Sequence, residues 1–453
     1  MWPKGTSAPP TENLGFVLFN RFKQILQSES ARSGYLSTVD QGVISAANFL
    51  SAVIIARNVS LTDFGVYGIG FTILRLGRAI QEGLIIQPLN AYGTEGDDAS
   101  FARYATSSLI LQLILAAVTS AAIWVIGRLL TIIGNDTSGP MVWGLWFAFF
   151  TTQIQEYLRR LLYTRDKTTA ALMNTIVSNI VRFAFLFWFI QKEVITGVTG
   201  LQAIGWGALA GALLGLWNGR AFWTRNILNF REIAVRDLKF GRWVLGGVLA
   251  NFVAVEFYPV MTAGMISFAA AGAYRAIQNL MAPILTLLRA TDTFFVPRMA
   301  KINATDGKQA LKRPLKLVYF FTGLPIIAWL LLTSVAASPL LTWLYGEEYA
   351  AYALGVPLMA VFYFLWYLYS PVQIAIKATR ISRPLFTANL LAMILMFTAG
   401  LWMIHAWGVY GTMAGQLLNA LIITVFLWRA WIREVKKTSP ETVENQTQTQ
   451  DKK

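Results

Sequence analysis

The chain has 453 residues, of which 55% are hydrophobic and only 13% are charged, and its formal net charge is +15. This composition lies outside the range of soluble globular proteins and predicts a multi-pass membrane protein. Lys and Arg residues held on the cytoplasmic side of membrane spans explain the positive charge, so nucleic acid is not expected as a partner. The chain has no cysteine, which excludes a disulfide framework, a thiolate metal site and a cysteine nucleophile.

Both ends of the chain are polar. Residues 1–33 are predicted to form a tail with a short interfacial helix, because apolar residues between Leu14 and Leu26 recur at helical spacing around Arg21 and Lys23. Residues 434–453 are rich in Gln, Thr and Glu, and we expect them to be disordered.

Apolar segments long enough to cross a bilayer occupy the rest of the chain. We predict twelve spans, at residues 36–57, 64–90, 103–127, 140–162, 171–191, 197–218, 243–265, 268–297, 314–336, 350–376, 384–404 and 408–432. The odd-numbered connections hold only Arg57, Arg128 and Lys192, whereas the termini and the even-numbered connections hold most other Lys and Arg residues, Arg159 and Arg160 included. This asymmetry predicts that both termini are cytoplasmic.

Short matches along the chain indicate an internal repeat. Gly65-Val66-Tyr67 opens the second predicted span and Gly272-Ala273-Tyr274 opens the eighth. Thr164-Arg165 is matched by Thr379-Arg380, 215 positions later. The order of these matches predicts two six-helix lobes in the same orientation.

The predicted fold is therefore an all-α polytopic membrane protein with twelve transmembrane helices around a central cavity. We assign residues 34–219 to the N-lobe and residues 243–433 to the C-lobe. Residues 220–242 between them are basic with interleaved apolar side chains, which predicts a cytoplasmic linker that lies on the membrane surface.

The second predicted span carries charges inside an apolar segment. Arg75, Arg78 and Glu82 follow helical spacing and therefore share one face. Each charge would cost roughly 2.5–3.5 kcal/mol if it faced lipid, so we expect these side chains to face protein or trapped water. Two interpretations are open, namely a polar cavity for an anionic ligand and structural ion pairs between packed helices.

Polar residues also concentrate in the first, seventh and eighth spans. Glu256 lies near the middle of the seventh span, three residues before Pro259, which should bend the helix. The eighth span carries Arg275, Asn279 and Arg289 on one face. Lower-ranked candidates for the cavity lining are Asp40, Gln41 and Asn48 in the first span and Asp292 in the eighth.

The balance of these charges predicts the type of ligand. Arginine cannot lose its proton to escape an apolar medium, so four arginines at depth require standing counter-charges. Glu82 and Glu256 are the internal acids available, and they are too few. The surplus predicts an anionic ligand, because a guanidinium group binds phosphate oxygens through two parallel hydrogen bonds. The predicted binding residues are Arg75, Arg78, Glu82, Glu256, Arg275, Asn279 and Arg289.

Other polar residues are interpreted without a functional role. Arg182 in the fifth span is assigned a structural role, and His405, the single histidine, is placed at the membrane interface. Glu347 and Glu348 are placed in a solvated external loop. The sequence contains no Gly-rich phosphate loop, metal-ligand spacing or usable Ser-His-Asp set, so we predict no catalytic residue, metal or cofactor and do not expect an enzyme.

Several short stretches form a wider pattern along the chain. They are Asp40-Gln41, Asn48-Phe49, Ala56-Arg57, Phe64-Gly65-Val66-Tyr67, the basic and aromatic segment 157–167, and Leu344-Tyr345-Gly346 before Tyr349. This pattern resembles the Wzx-type polysaccharide transporters of the multidrug, oligosaccharidyl-lipid and polysaccharide (MOP) exporter superfamily. The resemblance covers residues 33–433 approximately. It implies two lobes that rock around a cavity lined by the first, second, seventh and eighth spans.

The resemblance also implies a function. It implies a flippase that moves polyprenyl-diphosphate-linked oligosaccharide repeat units from the cytoplasmic to the periplasmic leaflet, for exopolysaccharide, capsule or O-antigen biosynthesis. It further implies a bacterial inner-membrane location and, besides membrane lipid, the polysaccharide polymerase and export machinery as partners. In this interpretation the four arginines hold the diphosphate and acidic sugars, and Glu82 and Glu256 pair with them when the cavity is empty.

Two other functions stay open at this point. A multidrug or cation extruder of the same superfamily would favour a net acidic cavity, against which the excess of arginine argues. A membrane-embedded glycan polymerase or ligase would need a large external loop with catalytic Arg or His residues. The predicted external loops are short and nearly free of both residue types.

Overall fold

The described structure is built from helices joined by short connections. The computed structural model describes residues 29–93, 97–133, 138–225, 230–379, 381 and 383–437, and helices are the only regular elements among them. The predicted interfacial helix and most of the predicted C-terminal tail lie outside these residues. Residues 434–437 of that tail belong to the last helix.

The N-terminal half, defined as residues 29–225, contains helices α1 to α8. They span Glu29–Asn58 (α1), Leu61–Gln81 (α2), Gln87–Tyr92 (α3), Asp98–Ile132 (α4), Ser138–Gly144 (α5), Trp146–Thr164 (α6), Thr168–Gln191 (α7) and Gly197–Asn218 (α8). A π-helical segment, Glu82–Ile86, joins α2 to α3, and the short 3₁₀ helix Arg220–Phe222 follows α8.

The C-terminal half, defined as residues 230–437, contains helices α9 to α17. They span Phe230–Glu256 (α9), Tyr258–Met265 (α10), Phe268–Leu280 (α11), Ala282–Ala310 (α12), Lys312–Val335 (α13), Ala337–Tyr345 (α14), Gly355–Ala378 (α15), Arg383–Leu395 (α16) and Leu401–Lys437 (α17). The 3₁₀ helix Glu347–Tyr352 follows α14, and the π-helical segment Met396–Gly400 joins α16 to α17.

The predicted multi-pass class is confirmed by the length and apolarity of these helices. In the described part of the chain, eight helices are long and apolar enough to cross a membrane, or nine if α11 and α12, which meet at a bend, form one span. One of the eight is the 53-residue stretch Arg383–Val435, in which Gly408, the first residue of the predicted twelfth span, adopts a φ of +59°. The count of twelve spans stays a prediction.

Side chains at the helix starts explain where several helices begin. Ser60, Asp97 and Ser267 each accept a hydrogen bond from the backbone N–H three residues later, which satisfies a donor left unpaired in the first turn. Asp97 precedes α4, outside the predicted span. Hydrogen bonds from the side chain and backbone of Ser100 lower the pKa of the Asp97 carboxyl.

The two halves touch where α2 crosses α11. A Cβ atom at Gly65 would overlap the backbone carbonyl of Phe268, and one at Gly272 would overlap the carbonyl of Leu61. Only glycine allows this approach, because any side chain would push the two helices apart. The two glycines that open the predicted repeats therefore meet each other at the contact between the halves.

The two halves also touch at the other end of α2. There α9 packs against the π-helical segment, and a Cβ atom at Gly241 would lie 2.8 Å from the carbonyl oxygen of Gly83. Asp237, in the same part of α9, is buried and accepts a 2.8 Å hydrogen bond from the Tyr104 hydroxyl of α4. Residues 230–242, which the sequence assigns to the linker, thus form the first turns of α9 and pack on the N-terminal half.

Candidate substrate-binding site

Arg75 and Glu256 form an ion pair between the two halves. The Arg75 guanidinium on α2 contacts both carboxylate oxygens of Glu256, one of them at 2.7 Å. Glu256 occupies this position because α9 ends there and α10 starts at Tyr258, followed by Pro259, which cannot donate the next helical hydrogen bond. The predicted bend is confirmed. Such bidentate pairs are strong and directional, so this pair links α2 to α9.

Glu156 on α6 is the centre of a larger ion network in the N-terminal half. It accepts hydrogen bonds from Arg78 at 2.7 Å, from Arg159 at 2.8 Å and from Arg160 at 2.9 Å. Glu156 was not among the residues predicted from the sequence, although Arg159 and Arg160 follow it by three and four residues, the spacing of ion pairs on one helix. That spacing within an apolar segment was the available signal.

Arg159 is also paired with Asp40 of α1. Arg159 and Asp40 are 1% and 0% exposed, and the Tyr163 hydroxyl donates to the same carboxylate at 2.7 Å. The assignment of Arg159 to a cytoplasmic connection was therefore wrong, because it lies inside the helix bundle. A fully buried carboxylate requires a partner of opposite charge, and Arg159 is that partner for Asp40.

The expected set of counter-charges is corrected by these contacts. Glu82 and Glu256 were predicted to be the acids available to the cavity arginines, but Glu156 and Asp40 also pair with arginines of the cavity lining. Glu82 begins the π-helical segment and accepts a 2.8 Å hydrogen bond from Gln87. Glu256 pairs as expected.

A cavity of about 140 Å³ lies inside the N-terminal half. Its charged lining consists of Arg75, Arg78, Arg159, Arg182 and Glu156, and its neutral polar lining includes Asn48, Gln153, Gln155, Thr175, Ser178 and Asn179. These residues belong to α1, α2, α6 and α7, and α8 contributes apolar atoms. We expected the first, second, seventh and eighth spans to line the cavity, but α9, α11 and α12 contribute no residue to the lining of this one.

Arg78 of the N-terminal half and Arg289 of the C-terminal half are both accessible to solvent. The side chain of Arg78 on α2 is 44% exposed. Arg289 lies within electrostatic range of Arg75, Arg78 and Glu256. Charged side chains of the two halves therefore interact electrostatically.

Arg275 lies against the crossing of α2 and α11. A Cβ atom at Gly68 would lie 3.2 Å from the Cγ of Arg275, so the aliphatic part of this side chain packs on α2. Its guanidinium stands 4.6 Å from the centre of the Phe71 ring and donates to Gln278 at 2.7 Å. Cation–π contact of this kind stabilises a desolvated guanidinium.

The predicted external end of the bundle is closed by aromatic side chains. Phe64 of α2 lies 6.2 Å from Tyr345 and 6.0 Å from Tyr349 between ring centres, and Asn279 donates to the Tyr345 hydroxyl at 2.9 Å. Arg57 donates to the backbone carbonyls of residues 343 and 344. We call this group the external seal. It joins stretches that carry the family resemblance, and it uses Asn279 as a structural contact.

The lower-ranked candidates lie in different places. Asn48 lines the cavity and accepts a 2.9 Å hydrogen bond from Arg182. Asp292 is paired at 2.8 Å with Lys377 of α15, with both side chains more than a third exposed, and Gln41 is exposed. In the described part of the chain, no cluster of His, Cys, Asp or Glu could hold a metal ion.

Fold and site together define a class of protein. The chain is a multi-pass helical membrane protein whose two halves meet along α2, α9 and α11, and its polar interior is rich in arginine. Such an interior can bind phosphate or carboxylate groups through charge-assisted hydrogen bonds.

Solved structures share this fold. An inward-facing multidrug resistance MATE family transporter of the MOP superfamily matches with a TM-score of 0.67 and 16% identity, over 88% of this chain and 96% of the other. The lipid II flippase MurJ, inward closed, matches with a TM-score of 0.66 and 14% identity over 91% and 90%. A MOP superfamily transporter from Pyrococcus furiosus, described as having a binding pocket of reverse polarity, matches with a TM-score of 0.64 and 14% identity over 91% and 98%.

The sequence places the chain in a family. The profile of a family described as polysaccharide biosynthesis protein matches residues 54–354, which is more than half of the chain. No curated protein matches it. The chain therefore belongs to this polysaccharide biosynthesis family and has the MOP-exporter fold, and the resemblance seen in its sequence is confirmed.

Proposed function

We propose that the protein is a flippase for polyprenyl-diphosphate-linked oligosaccharide repeat units. It would carry them from the cytoplasmic to the periplasmic leaflet of the bacterial inner membrane by alternating access, with both termini cytoplasmic. The observation that carries the proposal is the group formed by Arg75, Arg78 and Arg289, three arginines from both halves that lie within electrostatic range of one another. A diphosphate offers the oxygens that such guanidinium groups bind in pairs.

The ion network makes Arg78 available to a ligand. Glu156 keeps Arg159 and Arg160 as partners when Arg78 turns towards a phosphate group. The carboxylate is then never left buried without a counter-charge, which is the expensive event when an ion pair opens. Arg78 can therefore exchange partners at a low free-energy cost.

The pair between Arg75 and Glu256 couples the ligand to the arrangement of the halves. It exists while α2 and α9 lie side by side, and a diphosphate competes with Glu256 for Arg75. A ligand shifts a conformational equilibrium only through different affinities for the two states. Competition for Arg75 supplies such a difference.

A glycan substrate is favoured over the other candidates. The family match concerns polysaccharide biosynthesis, and the fold is shared with a lipid II flippase. A cation extruder is disfavoured because four arginines and one glutamate line the described cavity. In this proposal the chain is divided into the two predicted six-helix lobes. The polysaccharide polymerase and the export machinery receive the translocated repeat units.

The decisive experiment locates lipid-linked repeats in the membrane. A strain without the gene should accumulate lipid-linked repeats in the cytoplasmic leaflet, where a membrane-impermeant glycan label applied to spheroplasts does not reach them. The wild-type gene should restore both the labelling of the repeats and the export of glycan. Arg78→Ala and Arg289→Ala should each reduce glycan export at least tenfold, while protein levels stay near normal.

Arg298→Ala is the matched control for these variants. Arg298 is an exposed arginine on α12 that donates to a carbonyl of its own helix, so its loss should leave export unchanged. Full labelling in the strain without the gene would contradict the proposal. Loss of the Arg78→Ala protein from the membrane would instead return Arg78 to a structural ion-pair role.

A further inference from the structure

Arg182 on α7 is buried in the N-terminal half beside neutral partners only. Arg182 is only 5% exposed to solvent, and it lines the cavity. It donates from Nη1 to Asn48 at 2.9 Å and from Nη2 to the Tyr67 hydroxyl at 3.3 Å. Within the described ranges, no Asp or Glu side chain lies within ion-pairing distance of Arg182, and its Nε has no hydrogen-bond acceptor.

The other three arginines of the cavity differ from Arg182 in this respect. Each of them contacts at least one carboxylate, and the pairs are Arg75 with Glu256, Arg78 with Glu156, and Arg159 with Asp40 and Glu156. Arg182 is thus the one arginine of the lining that contacts no carboxylate of the described chain. A guanidinium group cannot lose its proton, and a buried charge without a counter-charge is unfavourable, so the position beside Arg182 is suited to an external anion.

The size and the neutral lining of the cavity indicate more than a simple ion. Its volume of about 140 Å³ corresponds to on the order of ten water-sized positions, comparable with the number of heavy atoms in one sugar unit. Thr175, Ser178 and Asn179 place hydroxyl and amide groups around Arg182, and the Thr175 hydroxyl has no hydrogen-bond partner among the described residues. Such a lining matches a molecule with several hydroxyl groups.

We propose that this cavity is a subsite for a sugar that bears a carboxylate. Arg182 binds the carboxylate, and the neutral groups of α1 and α7 bind the sugar hydroxyls. The assignment rests on the proposed function and narrows its substrate to an acidic glycan. Because Arg75 lines this cavity and also pairs with Glu256 of the C-terminal half, the acidic sugar is one close to the diphosphate.

Saturation-transfer NMR on the full-length protein in lipid nanodiscs tests this assignment. The probes are sodium glucuronate, glucose as its neutral counterpart, and inorganic phosphate as a competitor. Glucuronate should receive saturation from the wild-type protein, and its apparent affinity should exceed that of glucose at least tenfold. Arg182→Gln should reduce the glucuronate affinity at least tenfold, and the matched control Arg298→Gln should leave it unchanged.

A second variant keeps the test sound if Arg182→Gln does not fold. Asn48→Asp places a carboxylate beside Arg182, where the Asn48 amide oxygen now accepts a 2.9 Å hydrogen bond. It should raise the thermal unfolding midpoint, because the buried charge gains a partner, and it should abolish glucuronate binding because the site is already neutralised.

Three results would overturn the assignment. They are absence of glucuronate binding to the wild-type protein, equal binding by wild type and Asn48→Asp, and displacement of glucuronate by phosphate at lower concentration, which would identify an inorganic anion site. The flippase proposal is judged separately by the leaflet assay. Either proposal can therefore fail alone.

Discussion

The interiors of α6 and α15 differ in polarity, although the predicted repeat makes them corresponding helices of the two halves. In α6, Glu156, Arg159 and Arg160 form the ion network, and the residues 215 positions later in α15 are Pro371, Ile374 and Ala375, all buried. Apolar side chains pack without specific partners, whereas buried charges require every partner to be in place. The N-terminal half therefore carries the ion network, whereas the C-terminal half contributes Glu256 to a pair with Arg75.

Among the substitutions that test this difference between the halves, Arg159→Ala is expected to have the largest effect on protein stability. The substitution leaves Asp40 buried with only the Tyr163 hydroxyl as a partner. Removal of one member of a buried ion pair costs about 3–5 kcal/mol, so the thermal unfolding midpoint and the membrane level of the protein should both fall strongly. Thermal unfolding of the purified protein and quantitative immunoblotting of membranes measure the two quantities.

Arg160→Ala is the control for that measurement. Arg160 donates to the same Glu156, but its side chain is a third exposed and Glu156 keeps two other arginines. The loss should be below about 1 kcal/mol. Equal stability of the Arg159→Ala and wild-type proteins would show that the network does not hold the N-terminal half together.

An intermediate effect is expected from the ion pair between the halves. Arg75→Ala leaves Glu256 partly buried without its bidentate partner and should destabilise the protein by about 1–2 kcal/mol. The double substitution Arg75→Ala with Glu256→Gln should recover most of that stability, because no unpaired carboxylate remains. Thermal unfolding of both single variants and the double variant measures the coupling.

Measurement of glycan export in the same variants separates the binding of the diphosphate from the stability of the protein. If Arg75 binds the diphosphate, export should stay at least tenfold reduced in the double variant even though its stability recovers. Export restored together with stability would show that Arg75 serves only as a link between α2 and α9.

The smallest effect is expected from the C-terminal half. Asp292→Asn removes the partner of Lys377, but both side chains are more than a third exposed. Pairs of this kind contribute about 0–1 kcal/mol, so unfolding and export should change little. A strong loss of export in Asp292→Asn, with normal protein levels, would mean that the C-terminal half has a polar site of its own.

The sequence predicted the site unevenly, and particular residues show why. Arg75 and Arg78 were found because helical spacing places charges of one span on one face, and Glu256 was found because it is an acid near the middle of an apolar span. Glu156 and Arg159 were missed because their segment ends in a basic run, which is also the pattern of a cytoplasmic connection. The burial of this segment inside the helix bundle decided between a membrane span and a cytoplasmic connection.

The amino-acid sequence by itself determined the multi-pass helical class, the helix positions, the matching glycines at 65 and 272 and the excess of arginine over internal acids. These properties follow from local composition and spacing, which the chain order displays directly. The tertiary structure decided which acid pairs with which arginine, because Arg159 and Asp40 are 119 positions apart and meet only when α1 packs beside α6. It also decided that Arg182 is the cavity arginine beside neutral groups, since charge pairing depends on distance in space.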